Sequence, residues 1–290
     1  MSAIGRVARP SIIALILLFA AWLTAKEAIE PHWTIRLADL IRPGPPPLAL
    51  PLNDRLALHL YTDTRPHIGK ITPVQKGLAL AQDRRELIEE GYGFGAPIVI
   101  FAGRAYLSQH AEVTPGADGR SAAKRFRIDV EDTWTEFLRP KYRPVTPLGA
   151  VVFTYTITGP DSLEIAADFS ELTIAPELVY LTNEQGASFF RRYSDSTGVD
   201  RLLLDVPDTP DQWVLTHAAR ACFTSAARQL RLCVETAADQ PKYIGRERYL
   251  QYRWTGAFAL SWAGVDIELT RPAEIYRYQI HIETTPEGEP

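Results

Sequence analysis

From Leu52 onward, apolar side chains recur at every second position, a period met by extended strands with one buried face. The segment VVFTYTIT, Val151 to Thr158, sets Val151, Phe153, Tyr155 and Ile157 on one side and mostly threonine on the other. LEIAADF, Leu163 to Phe169, alternates in the same way, and GPDS between the two supplies turn residues, so the pair predicts a hairpin. RFRIDV (Arg125 to Val130) and IYRYQIHIE (Ile275 to Glu283) repeat the pattern. Shorter runs from Leu56, Ile98, Arg104, Leu178, Arg201, Ala257 and Val265 predict further strands, with Ala102-Gly103 and Ala263-Gly264 as tight turns. Helical signals are few. Thr133 and Glu136 form a capping box in EDTWTEFLRP, which stops at Pro140, and Asn183 to Tyr193 predicts a second short helix. The expected class is all-β: a large β-sandwich, one extended unit in preference to two, with few short helices and one N-terminal membrane helix ahead of it.

That membrane helix is read from SIIALILLFAAWLTA, an uncharged run between Pro10 and Lys26. Arg6 and Arg9 precede it and Glu27 and Glu30 follow, an asymmetry that predicts the N-terminus inside and the main body outside the cell membrane. The run falls short of the about 20 residues that span a bilayer, so a signal peptide competes with a retained anchor. Cleavage after Ala25 would put Leu23 at the −3 position, a poor match, whereas Trp22 suits an interface and Lys26 can snorkel. The retained, single-pass signal-anchor is preferred. The expected organisation is a basic cytoplasmic N-terminus over 1–9, the anchor over 10–30, a Pro-rich spacer over 31–51 and an extracytoplasmic β-sandwich region over 52–290. PGPPPLALP, Pro43 to Pro51, stiffens the spacer, and the proline- and aspartate-rich DVPDTPDQW places a sub-boundary near 207.

The 290-residue chain carries a net charge of −4 with both signs interspersed, so it offers no basic field to nucleic acid. Its two cysteines, Cys222 and Cys233, lie symmetrically about Ala227 and Arg228 in ACFTSAARQLRLCVE. A hairpin there would set them opposite one another within disulfide reach, and closing so short a loop is worth on the order of 3 kcal/mol. The alternatives are two free buried thiols, or a helix through the same Ala/Arg/Leu-rich segment.

No spacing names a reaction. There is no GxSxG or SxxK, and Ser108 and His110 share a strand face without further marks of a nucleophile. His32, His59, His67, His110, His217 and His281 are scattered singly, so no metal or other cofactor is expected, and the acids of Asp205 to Asp211 read as a solvated loop more readily than a calcium site. Two acidic spots adjoin aromatic residues: Glu89 and Glu90 run into Tyr92 and Phe94, and Asp129, Glu131 and Asp132 precede Trp134. Tyr92, Phe94, Glu90, Asp129 and Trp134 are the candidate ligand-binding residues, their rings available to stack on sugar faces or to plug the end of the sandwich. Arg139, Lys141 and Arg143 around Tyr142 form a candidate anion site. Tyr249 to Gly256, with Trp213 and Trp262, is an aromatic stretch expected to lie mostly in the core. The resulting expectation is a membrane-tethered binding or scaffolding module whose partner is an envelope glycan or a protein. One alternative is a carbohydrate-active enzyme using two carboxylates from Glu89, Glu90, Asp129, Glu131 and Asp132. The other is a structural subunit of a membrane complex.

Overall fold

A computed structural model describes residues 14–19, 21, 45–62, 73–88, 91–133, 142–187, 189–202, 214–249 and 259–285. Among these residues, nineteen strands account for nearly all of the regular structure. In chain order they are β1 (Leu48–Pro51), β2 (Leu56–Leu60), β3 (Leu78–Gln82), β4 (Arg85–Glu86), β5 (Gly93–Phe101), β6 (Arg104–Pro115) and β7 (Ser121–Asp132). There follow β8 (Tyr142–Pro144), β9 (Ala150–Ile157), β10 (Ser162–Asp168), β11 (Leu178–Gly186), β12 (Arg192–Asp195) and β13 (Asp200–Leu202). The last six are β14 (Val214–Thr216), β15 (Arg220–Ser225), β16 (Leu230–Glu235), β17 (Lys242–Tyr249), β18 (Ala259–Thr270) and β19 (Ile275–Thr284).

The ladders are antiparallel and connect into one ribbon of neighbours: β13-β12-β15-β16-β19-β10-β9-β7-β6-β5-β11-β18-β17-β14. The ribbon doubles back along β6 and β7, twelve residues each, where the register shifts between Leu107 and His110. Such bulges bend a strand and raise its twist, which lets one sheet supply both layers. Contacts across the layers show the stacking. Tyr278 on β19 donates its hydroxyl to Asn183 Oδ1 on β11 at 2.9 Å. A side chain at Gly95 on β5 would meet Tyr155, Ile165 and Phe153 of β9 and β10 within 2.9–3.1 Å, so this glycine, at φ +72°, lets the layers close. Phe126, Phe153, Tyr155, Leu163 and Ile165 line the space between, the alternation seen in the sequence having turned these residues inward.

The N-terminal strands join this body. Leu48–Pro51, the end of the proline-rich stretch, pairs with β2, so the body begins four residues earlier than expected, because Leu48 and Leu50 alternate inward. β3 meets β5 at Leu78 and Phe94, and the Gln185 side-chain amide closes the rest of its edge. Its Oε1 accepts from Leu80 N at 3.1 Å, and its Nε2 donates to the Leu78 carbonyl at 3.3 Å.

Two local expectations are corrected. Asn183–Gly186 is the end of β11 and not a helix, because its polar side chains find buried partners in the sheet. Ala263-Gly264 is not a turn: β18 runs through it, and a side chain at 264 would collide with the Asn183 carbonyl oxygen, so glycine serves close approach. The predicted helix over EDTWTEFLRP lies outside the described residues beyond Thr133, as does the segment around 207. Ladders β12–β15, β10–β19 and β11–β18 nonetheless join chain on both sides of 207 into the same sheet.

Residues 14–19 and 21 are helical, and Leu15 to Phe19 are each between 59% and 68% exposed. Among the described residues, no helix is long and apolar enough to cross a membrane. Cys222 and Cys233 stand directly opposite on β15 and β16 and are joined by a disulfide, with the turn at Ala226–Gln229 between them.

A tyrosine and carboxyl face as candidate functional site

The sequence-predicted residues fall in different surroundings. Phe94 is 2% exposed and belongs to the core between the layers; Tyr92, 7% exposed, sits at the approach to β5. The segment that reads as an aromatic loop is thus a strand and its lead-in. Asp129 is committed to the bulge. Its Oδ1 accepts from Gln109 N, the bulged residue, at 2.8 Å, and its Oδ2 meets His110 Nδ1 at 2.5 Å and Arg127 Nε at 2.9 Å. Ser108 donates to the His110 carbonyl at 2.7 Å, so its hydroxyl is turned to backbone. Glu131 is clasped by Arg143 and by Arg104, the latter at 3.2 Å, and the guanidinium of Arg143 holds its carboxyl below the usual range. The charge of Arg143 is therefore already engaged. Asp132, at the end of β7, pairs with Tyr142 in the β7–β8 register and lies within electrostatic reach of Tyr92. Trp262 is buried. Glu89, Glu90, Trp134, Arg139, Lys141 and Trp213 lie outside the described residues. The described candidate acids thus occupy three settings: the bulge, an arginine clasp, and the neighbourhood of Tyr92.

A different set of residues converges on the outer face of the β5–β11–β18–β17 layer. Along β11, Val179 and Leu181 face the core, which turns Tyr180, Thr182 and Glu184 outward. Glu184 stands opposite Gly264 on β18, so Gly264, Asp266 and Glu268 share that outer face, and Tyr243 on β17 lies opposite Asp266. The rings of Tyr180 and Tyr243 meet edge to face at 5.9 Å, both half-buried. Both hydroxyls reach Glu268, that of Tyr180 at 3.4 Å. Burial and the Glu268 charge push the Tyr180 hydroxyl up to about 12. Deeper in, Glu184 Oε2 accepts from Tyr92 N at 2.9 Å. Burial raises the Tyr92 hydroxyl well above its ordinary range, reinforced by Tyr142, Asp132, Glu184 and Asp266.

Asp266 is the centre of this face. It is 5% exposed and its carboxyl accepts from the Asn183 N–H, yet its Oδ1 has no hydrogen-bond partner. Burial pushes the carboxyl up to about 8, only partly opposed by that N–H, which favours its protonated form. A neutral carboxyl offers one donor and one acceptor, and beside it stand tyrosine rings and the carboxyls of Glu184 and Glu268. The partly exposed members of this face are the Tyr180 and Tyr243 rings and the Glu268 carboxyl, a surface of mixed apolar and acidic character. Among the described residues, no group of three or more His, Cys, Asp or Glu side chains is placed to hold a metal ion.

Sequence reasoning missed Tyr180, Glu184, Tyr243, Asp266 and Glu268. The signal was the same period of two: extending the strand from LVYL through Glu184 would have put Tyr180, Thr182 and Glu184 on one side, facing Asp266 and Glu268 of VDIEL.

No protein-family model matches the chain, and no curated protein matches it in sequence. Among solved structures it is similar to a GalM/aldose epimerase homologue from C. elegans, at 12% identity over 81% of this chain and 97% of that one, with a TM-score of 0.36. A galactose mutarotase-like protein from Lactobacillus casei ATCC 334 is similar at 10% identity over 80% and 97%, with a TM-score of 0.34. A YidC insertase with its first transmembrane domain resolved is similar at 9% identity over 89% of this chain and 45% of that one, with a TM-score of 0.33. At these TM-scores the likeness bears on neither activity nor ligand.

Proposed function

We propose that the chain is a membrane-tethered, extracytoplasmic β-sandwich that binds a ligand, an envelope glycan in preference to a protein, on its tyrosine and carboxyl face. The observation that carries this reading is the half-buried Tyr180–Tyr243 pair, its hydroxyls turned to the Glu268 carboxyl. Aromatic rings edged by carboxyls suit a hydroxyl-rich ligand. The tether is supported by Leu15 to Phe19, five consecutive apolar side chains open on a helix, a pattern suited to lipid. The disulfide supports an oxidising compartment.

One specific feature favours a second reading, a carbohydrate-active enzyme. Glu184 and the neutral Asp266 share the face as a base and an acid would. A single experiment separates the two. The full-length chain is applied to an array of envelope glycans and polymers, and cleavage products are read from the same samples. Binding without cleavage, weakened at least about tenfold by Tyr243→Ala, is the expected result, a loss in the range of aromatic contacts at binding sites. Product formation abolished by Glu184→Gln would establish the enzyme instead.

A further inference from the structure

We infer that the place where the β3–β4 and β15–β16 turns meet is a phosphate-binding site, with Arg85 and Arg228 as its donors and Phe189 as their platform. It shares no residue with the tyrosine and carboxyl face. Three stretches of chain far apart in sequence build it. Phe189, just beyond β11, packs against the core and stays partly exposed. The guanidinium of Arg85, on β4, lies over its ring at 5.6 Å from the centroid, and that of Arg228, in the β15–β16 turn, at 5.1 Å. Buried Gln82 ties the two turns together, donating its side-chain amide to the Arg228 carbonyl at 3.0 Å. Arg85 is exposed and Arg228 partly so, which leaves both open to a ligand from solvent.

Stacking on a ring occupies the face of a guanidinium and leaves its in-plane N–H groups for another partner. Those donors are unused: among the described residues, neither the Arg85 nor the Arg228 side chain forms a hydrogen bond or an ion pair. Asp83 lies within electrostatic reach of Arg228, but its carboxyl is gripped by Nε and Nη2 of Arg55 at 3.3 and 3.0 Å. Elsewhere on the sandwich exposed arginines are matched to acids, as Arg192 is to Asp200 and Arg277 to Glu164. Two unmatched cations on one ring are a departure from that pattern in a chain of net charge −4. Arg84 adds a third cation from the β3–β4 turn, where Asp83 and Arg84 both take positive φ, 50° and 68°. Glycine or asparagine meets that backbone geometry at less cost, so arginine is there for its charge. A single guanidinium fork satisfies a carboxylate. Two forks on one platform suit the greater charge and extra oxygens of a phosphate or diphosphate.

The test is calorimetric titration of the full chain with inorganic phosphate, pyrophosphate and, as the carboxylate probe, citrate. At least one of the two phosphates should bind, more tightly than citrate, and added salt should weaken it. The Arg85→Gln, Arg228→Gln double variant should lose at least about tenfold in affinity while its thermal unfolding stays cooperative. Asp83→Asn removes the carboxylate in reach of Arg228 and releases Arg55, and it should tighten binding. Vesicles of phosphatidylcholine with and without phosphatidylglycerol identify the source of the phosphate. Capture by the anionic vesicles that falls in the double variant assigns the site to a lipid headgroup, and capture that does not change assigns it to a soluble phosphate. The inference is overturned if neither phosphate binds, if citrate binds as tightly, if the double variant binds like wild type, or if Asp83→Asn weakens binding.

Discussion

Two buried ionisable side chains make opposite demands of pH. Burial pushes Asp266 up to about 8 in the folded chain, against about 3.9 in an unfolded one. Between those values the native state holds the extra proton, so the contribution of Asp266 to stability is lost as pH rises from about 4 to about 8. Lys124 is buried, donates its ammonium to the Lys76 carbonyl at 2.7 Å, and burial together with nearby Lys76 lowers it to about 7. There the unfolded chain binds the extra proton between about 7 and 10.5, so its contribution to stability grows with pH over that window. Denaturant unfolding across pH 4–10 checks both signs. Asp266→Asn should gain on wild type steadily up to pH 8, and Lys124→Met should lose its advantage over wild type above pH 7. Neither side chain announced itself in the sequence. Period two tells which residues share a face but not whether that face meets water, and Asp266 falls on the polar side of VDIEL like any solvated acid. The disulfide was legible because its evidence is local: symmetry about Ala227 and Arg228 fixes the hairpin register.

Among the elements, the β15–β16 hairpin shows how local stapling and sheet context divide the work. Cys222–Cys233 closes a separation of only 11 residues, and both strands are also held by neighbours, β12 on one side and β19 on the other. Over the disulfide, Arg220 and Arg231 reach Glu283 from adjacent strands, and Arg231 also reaches Ser194 at 3.2 Å. The paired Cys222→Ser, Cys233→Ser variant should therefore fold to the same structure and lose about 3 kcal/mol, read as a lower denaturant midpoint. Loss of the cooperative transition would mean that the hairpin needs the bond to form. The strands with strict alternation, β7, β9, β10 and β19, were all legible. What escaped were elements whose polar residues are buried. Asn183, Glu184 and Gln185 read as the start of a short helix, yet each side chain bonds to another strand or its lead-in, a fact of tertiary structure that no window of sequence contains.

The molecule is asymmetric about its core. On the outer face of the β12–β15–β16–β19–β10–β9–β7 layer, cations are matched to acids: Arg192 with Asp200 at 2.7 Å, Arg277 with Glu164 at 2.9 Å, and Arg125 with Glu171. Such exposed pairs contribute little to stability, and they leave that surface balanced and solvated. The opposite outer face carries Tyr180, Tyr243, Glu184, Asp266 and Glu268, partly withdrawn from water, with Asp266 Oδ1 unpartnered. The period-two alternation carried the all-β body, but this asymmetry depends on which strands become neighbours after the ribbon folds at β6 and β7. The most direct measurement is binding of the intact chain to the envelope glycan panel, compared with a Tyr180→Ala, Tyr243→Ala double variant. Binding lost in the variant, with thermal unfolding still cooperative, is what this account predicts. Equal binding by both proteins would contradict it and move the site elsewhere on the molecule.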